Sequence, residues 1–171
     1  MPSRKRFGSA LLLVKRSALA VLIICGGSLT YLRGQTDQRT ASEALPASQL
    51  VQPADLVGEL ASASAEARPT IVYVGFRALF AGGHIPGATF HGSASTEQGL
   101  ADIKKWAASL PRTTNLVIYC GCCPFERCPN IRPAFALFRD MGFAHLRVLE
   151  LPTSFAADWA SKNYAIEKGL K

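Results

Sequence analysis

A chain of 171 residues and 18.3 kDa has the length of one domain plus an appendage, and 49% hydrophobic against 18% charged residues excludes disorder along most of it, as well as collagen-like or mucin-like architecture. The formal net charge of +7 is concentrated at one end: Arg4, Lys5, Arg6, Lys15, Arg16 and Arg33 precede the first acid, and the remaining 138 residues carry 13 basic against 12 acidic groups. With the basic residues assigned to the terminus, the rest is close to neutral and nothing indicates nucleic-acid binding.

Residues 1–34 have the layout of an export signal, in which a basic start is followed by an uncharged stretch from Ser17 to Leu32. Those 16 residues would span about 24 Å as a helix, slightly under a bilayer's hydrocarbon core. No small-x-small cleavage site comes after it, and Tyr31-Leu32-Arg33 stands where one would be expected. A retained single-pass signal anchor is therefore favoured over a cleaved signal peptide that releases the domain to the periplasm. The positive-inside rule places the chain beyond the anchor on the periplasmic or extracytoplasmic side. Residues 35–47 read as a polar linker, and 48–170 as a single domain.

Within that domain, apolar spacing from Leu50 to Leu60 predicts a short amphipathic helix. Ile71-Val72-Tyr73-Val74 predicts a buried strand ended by Gly75. A helical turn over 78–80 leads into the punctuated loop Gly82-Gly83-His84-Ile85-Pro86-Gly87-Ala88, a brief strand over 89–91 and a helix over 96–110 capped by Thr96. Asn115 to Cys120 is an apolar run suited to a central parallel strand. A helix over 134–141 stopped by Gly142, a strand over 146–149 and a final helix over 154–162 complete the pattern. Strands alternating with helices predict an α/β fold with a central parallel sheet flanked by helices.

Four of the five cysteines fall in nine residues, Cys120-Gly121-Cys122-Cys123-Pro124-Phe125-Glu126-Arg127-Cys128. In an open parallel sheet the functional crevice lies beyond the carboxyl ends of strands, where Cys120 stands. Loop amides, Gly121 among them, and the next helix's positive end should favour a thiolate at Cys120, with Arg127 and Arg132 binding an anionic substrate.

The loop Gly83-His84-Ile85-Pro86-Gly87-Ala88, the strand Val117-Ile118-Tyr119-Cys120 and the aromatic pair Phe155 and Trp159 resemble the rhodanese-like (sulfurtransferase) domain family over about residues 48–169. Within it the chain looks like an exported bacterial subgroup with a Cys-Gly-Cys-Cys-Pro loop. The resemblance implies a sulfurtransferase whose Cys120 takes sulfane sulfur from a small anionic donor such as thiosulfate, holds it as a persulfide and passes it to a thiol or protein acceptor. It also implies a structural His84 and no cofactor.

Two departures stand out. Tyr73-Val74-Gly75 replaces the family's usual Asp-Val-Arg, and the usual Cys-x4-Arg loop is lengthened, with Phe125 at the arginine position counted from Cys120. Counting from Cys122 restores that spacing at Arg127, which makes Cys122 an alternative nucleophile and Cys123 and Cys128 candidates for relaying or resolving the persulfide. Dual-specificity phosphatase chemistry is excluded, because no cysteine satisfies Cys-x5-Arg. The rival reading is a non-enzymatic or redox thiol site: Cu or Zn bound by Cys120, Cys122, Cys123 and Cys128, or disulfide exchange pairing Cys128 with Cys120 or Cys122.

Overall fold

The computed structural model describes residues 45–64 and 67–170, all within the compact unit Thr40–Lys171. The expected signal segment and most of the polar linker lie outside the described residues. Among the described residues five strands form one parallel sheet: β1 (Leu50–Val51), β2 (Thr70–Tyr73), β3 (Thr89–Phe90), β4 (Asn115–Tyr119) and β5 (His145–Leu149), in the order β1-β5-β4-β2-β3. The α-helices that connect and flank them are α1 (Pro53–Ser62), α2 (Arg77–Gly82), α3 (Glu97–Ala107), α4 (Ile131–Asp140) and α5 (Phe155–Asp158).

The two-residue period of a strand divides the core into two layers. Leu116, Ile118 and Cys120 point to the α3–α4 side, where they meet Val72, Val148, Ile103, Ala134 and Phe138. Val117 and Tyr119 point to the other side and meet Leu56, Phe80, Leu149 and Trp159. Helix α4 exists because Ile131, Ala134, Phe135 and Phe138 repeat at helical spacing and bury one face, at roughly 1.5–3 kcal/mol for each large side chain. Gly142 comes after it at φ 83, the left-handed stop expected.

Two elements differ from expectation. Leu50 and Val51 pair with Val148 and Leu149 as an edge strand instead of opening a helix, because Pro53 occupies the first helical turn and fixes the start after them. The final helix stops at Asp158. Trp159 leaves helical geometry so that its indole is buried and its Nε1 donates to the Ala165 carbonyl at 2.9 Å; a 3-10 turn, Ala160–Lys162, comes next. The Phe155 and Trp159 rings stack all the same, 6.2 Å apart.

Candidate active site

β4 ends at Tyr119, and the next residue, Cys120, is set by strand alternation against the N-terminal region of α4. Gly121 then turns the chain at φ 72, and its carbonyl accepts from the Phe155 amide at 2.9 Å. A side chain at Gly121 would meet the Phe155 Cβ at 2.7 Å, so both the turn and the close approach require glycine. The loop continues through Cys122, Cys123 and Pro124 into a 3-10 turn, Phe125–Arg127. There Phe125 is buried and its amide donates to the Pro152 carbonyl at 3.3 Å. This turn accommodates the lengthened loop and delivers Cys128, not Cys120, to the N-terminus of α4.

All four cysteines of the loop carry free thiols and converge. Cys122 Sγ lies 3.1 Å from Cys120 Sγ and 3.3 Å from Cys123 Sγ, and the sulfurs of Cys120, Cys122 and Cys128 all lie within 4.8 Å of one another. Cys120 and Cys128 are buried, whereas Cys122 and Cys123 are partly exposed.

The electrostatics invert the sequence expectation. Hydrogen bonding to Cys128 and burial push the Cys120 thiol well above the ordinary range. Cys128 is lowered to about 5, because it accepts a hydrogen bond from Cys120 and further bonds from the backbone N–H groups of Asn130 and Ile131. Burial and the bond to Cys122 push Cys123 up to about 12. The helix N-terminus thus favours an anion on Cys128 rather than on Cys120.

Asn130 binds this arrangement to the rest of the domain and is not among the residues the sequence singles out. Fully buried, it accepts at Oδ1 from the Ser95 amide (2.9 Å) and the Ser93 hydroxyl (3.1 Å), and its Nδ2 donates to Cys120 Sγ (3.6 Å) and Cys122 Sγ (3.7 Å). An asparagine just before a helix is the only signal the sequence offers, and it points to capping. Here the side chain makes no cap bond.

Gly75 gives the first departure from the family pattern a physical reason. A Cβ there would sit 2.7 Å from Cys120 Sγ and 2.5 Å from Tyr73 Oη, so the site is built around the missing side chain. His84 is structural: buried, stacked on Phe80 at 3.8 Å, with Nδ1 2.8 Å from the Phe80 carbonyl.

A cleft of about 440 Å³ opens over the cysteines, walled by Tyr73, Leu79, Gly121, Phe155, Ile166 and Lys168, with Cys120 and Cys122 at its lining. Cys128 does not line this cleft. It borders a second hollow together with Arg127 and Arg132, the two cations expected to hold the donor. Arg132 donates there to the Glu126 backbone carbonyl at 2.9 Å and its carboxylate at 3.3 Å. The structure thus brings the four cysteines and Gly121 together, places both arginines behind them, and leaves Lys168 as the cation at the cleft.

No protein-family model and no curated protein matches the chain. Solved structures do. The rhodanese-like domain of the Alr3790 protein from Anabaena sp., in solution, is 24% identical with a TM-score of 0.50, covering 70% of this chain and 79% of that one. A crystal structure of the Alr3790 protein gives 23% and 0.53, over 69% and 82%. A full-length protein from Lactobacillus plantarum gives 15% and 0.52, over 71% and 88%. At these identities the likeness concerns architecture, and the domain described here has the rhodanese-like fold.

Proposed function

We propose that this domain is a sulfurtransferase in which Cys120 carries sulfane sulfur as a persulfide. The observation that carries the reading is the position of Cys120 at the end of β4, where it lines the cleft with Cys128 Sγ within 4.8 Å of its own sulfur. Cys128 takes the Cys120 proton. The Cys120 thiolate attacks the sulfane sulfur of a donor such as thiosulfate, forming the Cys120 Sγ–S bond and breaking the S–S bond of the donor, whose electron pair leaves with sulfite. A thiophilic acceptor then attacks the outer sulfur and releases the Cys120 thiolate. Asn130 Nδ2 is placed to donate to sulfur throughout, Lys168 faces the anionic donor, and Arg127 and Arg132 add positive potential from the second hollow. Replacing Cys120 by Ser should abolish cyanide-dependent thiocyanate formation with the fold intact; retained activity would move the role to Cys122.

A second reading rests on the mutual approach of three sulfurs within 4.8 Å. Cys120, Cys122 and Cys128, with Cys123 adjacent, are soft ligands suited to Cu(I) or Zn(II). It requires near-stoichiometric metal after reducing purification and no thiocyanate formation.

The charge pattern of residues 1–34 supports placing the domain at the cell membrane, on the extracytoplasmic side. Protease accessibility in intact spheroplasts tests this, and protection of the domain there would refute it.

A further inference from the structure

The outer sulfur of a Cys120 persulfide would occupy the cleft, because Cys120 lines it. Cys122 lines the same cleft and is therefore placed beside that outer sulfur. Cys128 approaches Cys120 from elsewhere: it is absent from the cleft wall, borders the second hollow, and lies with its Sγ within 4.8 Å of Cys120 Sγ. Displacement at a sulfur proceeds in line, with the attacking sulfur opposite the leaving one. Cys122, 3.1 Å from Cys120 Sγ, shares the cleft with the outer sulfur, whereas Cys128 reaches Cys120 from outside the cleft and is the thiol whose approach to the inner sulfur the outer one does not block.

We infer that Cys128 is a resolving cysteine that attacks Cys120 Sγ of the persulfide, forms a Cys120–Cys128 disulfide and expels hydrosulfide into the cleft. The inference rests on the proposed persulfide and adds a second fate for it. The balance closes without an external oxidant. Cys128, protonated when Cys120 attacked the donor, forms the new S–S bond and gives that proton to the departing sulfur. The two cysteines lose two electrons, and the sulfane sulfur gains them to become hydrosulfide. Starting from thiosulfate, the sum is one thiol and one thiolate converted to a disulfide, with sulfite and hydrosulfide released. A dithiol reductant must reopen the disulfide for the next cycle, so a thiol–disulfide exchange reaction has to come after this one in sequence. With abundant acceptor the outer sulfur leaves by transfer; without it, the buried thiol ends the persulfide's lifetime.

The test uses the full-length chain, reduced, freed of reductant under anoxic conditions and mixed with thiosulfate in the absence of cyanide. The expected result is a burst of about one sulfide per chain. Mass spectrometry should show a loss of about 2 Da, and peptide mapping should join Cys120 to Cys128. C128S lacks the base as well and should take up sulfur more slowly, but the gain of about 32 Da that does form on Cys120 should persist, with less than about one-tenth of that sulfur released as sulfide, while C122S still releases sulfide. Three results would overturn the inference: a wild-type persulfide that persists without sulfide, a disulfide joining Cys120 to Cys122, or a sulfide burst unchanged in C128S. The wild-type measurements decide the matter even if C128S fails to fold. An absence of adduct, sulfide and sulfite in every form would refute the proposed sulfurtransferase itself, and with it this inference.

Discussion

The sharpest consequence of the site's electrostatics is that the domain should hold one thiolate at neutral pH, located on Cys128. An ordinary cysteine, with a pKa near 8.5, is only about 3% thiolate at pH 7. Cys128, lowered to about 5, is almost fully ionised there, while Cys120, raised by the same hydrogen bond, keeps its proton. Thiolate absorbance near 240 nm should therefore show one group titrating with a midpoint around pH 5, lost in C128S. The rate of persulfide formation should rise through the same midpoint if Cys128 is the base that accepts the Cys120 proton. Stability must change with a definite sign. A folded pKa below the unfolded value adds stability that is complete above about pH 8.5 and is lost as pH falls to about 5. At 1.36 kcal/mol per unit, this gives an upper bound of about 5 kcal/mol. Cys120 acts in the opposite sense: its raised pKa contributes stability below pH about 8.5 that is lost at more alkaline pH. The chain should be most stable near that value and weaken on both sides. The absence of any thiol titrating near pH 5, or a low-pH midpoint untouched in C128S, would refute the pairing.

Gly75→Ala should lower stability by about 1–3 kcal/mol and impair sulfur transfer, since the new methyl overlaps Cys120 Sγ and Tyr73 Oη; thermal melts with thiocyanate assays on the same protein check both. Asn130→Ala leaves the Ser95 amide without its acceptor and should cost about 1–3 kcal/mol by denaturant titration. Asn130→Asp keeps that acceptor but sets a carboxylate beside the thiols, so it should move the thiolate midpoint upward, a shift a purely structural role would not produce. Arg147→Met removes a two-point ion pair to Glu59 (2.6 and 2.8 Å) and a bond to Asn115, and should cost about 1–3 kcal/mol while leaving thiocyanate formation unchanged.

Much of the architecture is legible in the sequence because its signals are local and strong. Strand β4 is an apolar run long enough to fix its own position, Thr96 caps α3 by accepting from the Gly99 amide, and Gly142 ends α4. Strand β1 is not legible: two residues carry no periodicity, and their strand character comes from pairing with β5, far along the chain. The break at Trp159 is likewise tertiary, since burial of the indole and its bond to Ala165 outweigh the helical spacing. For the site, the clustering of cysteines is visible in the sequence, but their ranking is not. Linear spacing assigns the helix N-terminus to the strand-terminal Cys120. The 3-10 turn at Phe125–Arg127, a consequence of how Phe125 is buried, assigns it to Cys128. The same turn sets Arg127 and Arg132 at the second hollow with Cys128, apart from the cleft that Cys120 and Cys122 line, a placement linear spacing does not reveal.

The lengthened loop and the loss of its usual arginine can be understood as one change. In a Cys-x4-Arg loop the guanidinium and the helix N-terminus are both available to a bound anion. Here the inserted residues bring the Cys128 sulfur onto that helix end, where the hydrogen bond from Cys120 and the backbone N–H groups of Asn130 and Ile131 lower its pKa, so that the positive field is directed to a side chain of the chain itself. On the proposed function, a dianionic donor would then meet less uncompensated positive charge in the cleft, where Lys168 is the cation, and a nucleophile with its base in place. In that reading the exchange favours proton transfer and internal sulfur chemistry over tight anion binding. Adding a second cation at the cleft, as in Ile166→Lys, should therefore lower KM for thiosulfate with kcat nearly unchanged. A fall in KM accompanied by an equal fall in kcat would mean that the added charge stabilises only the bound donor, and that anion binding does not limit this site.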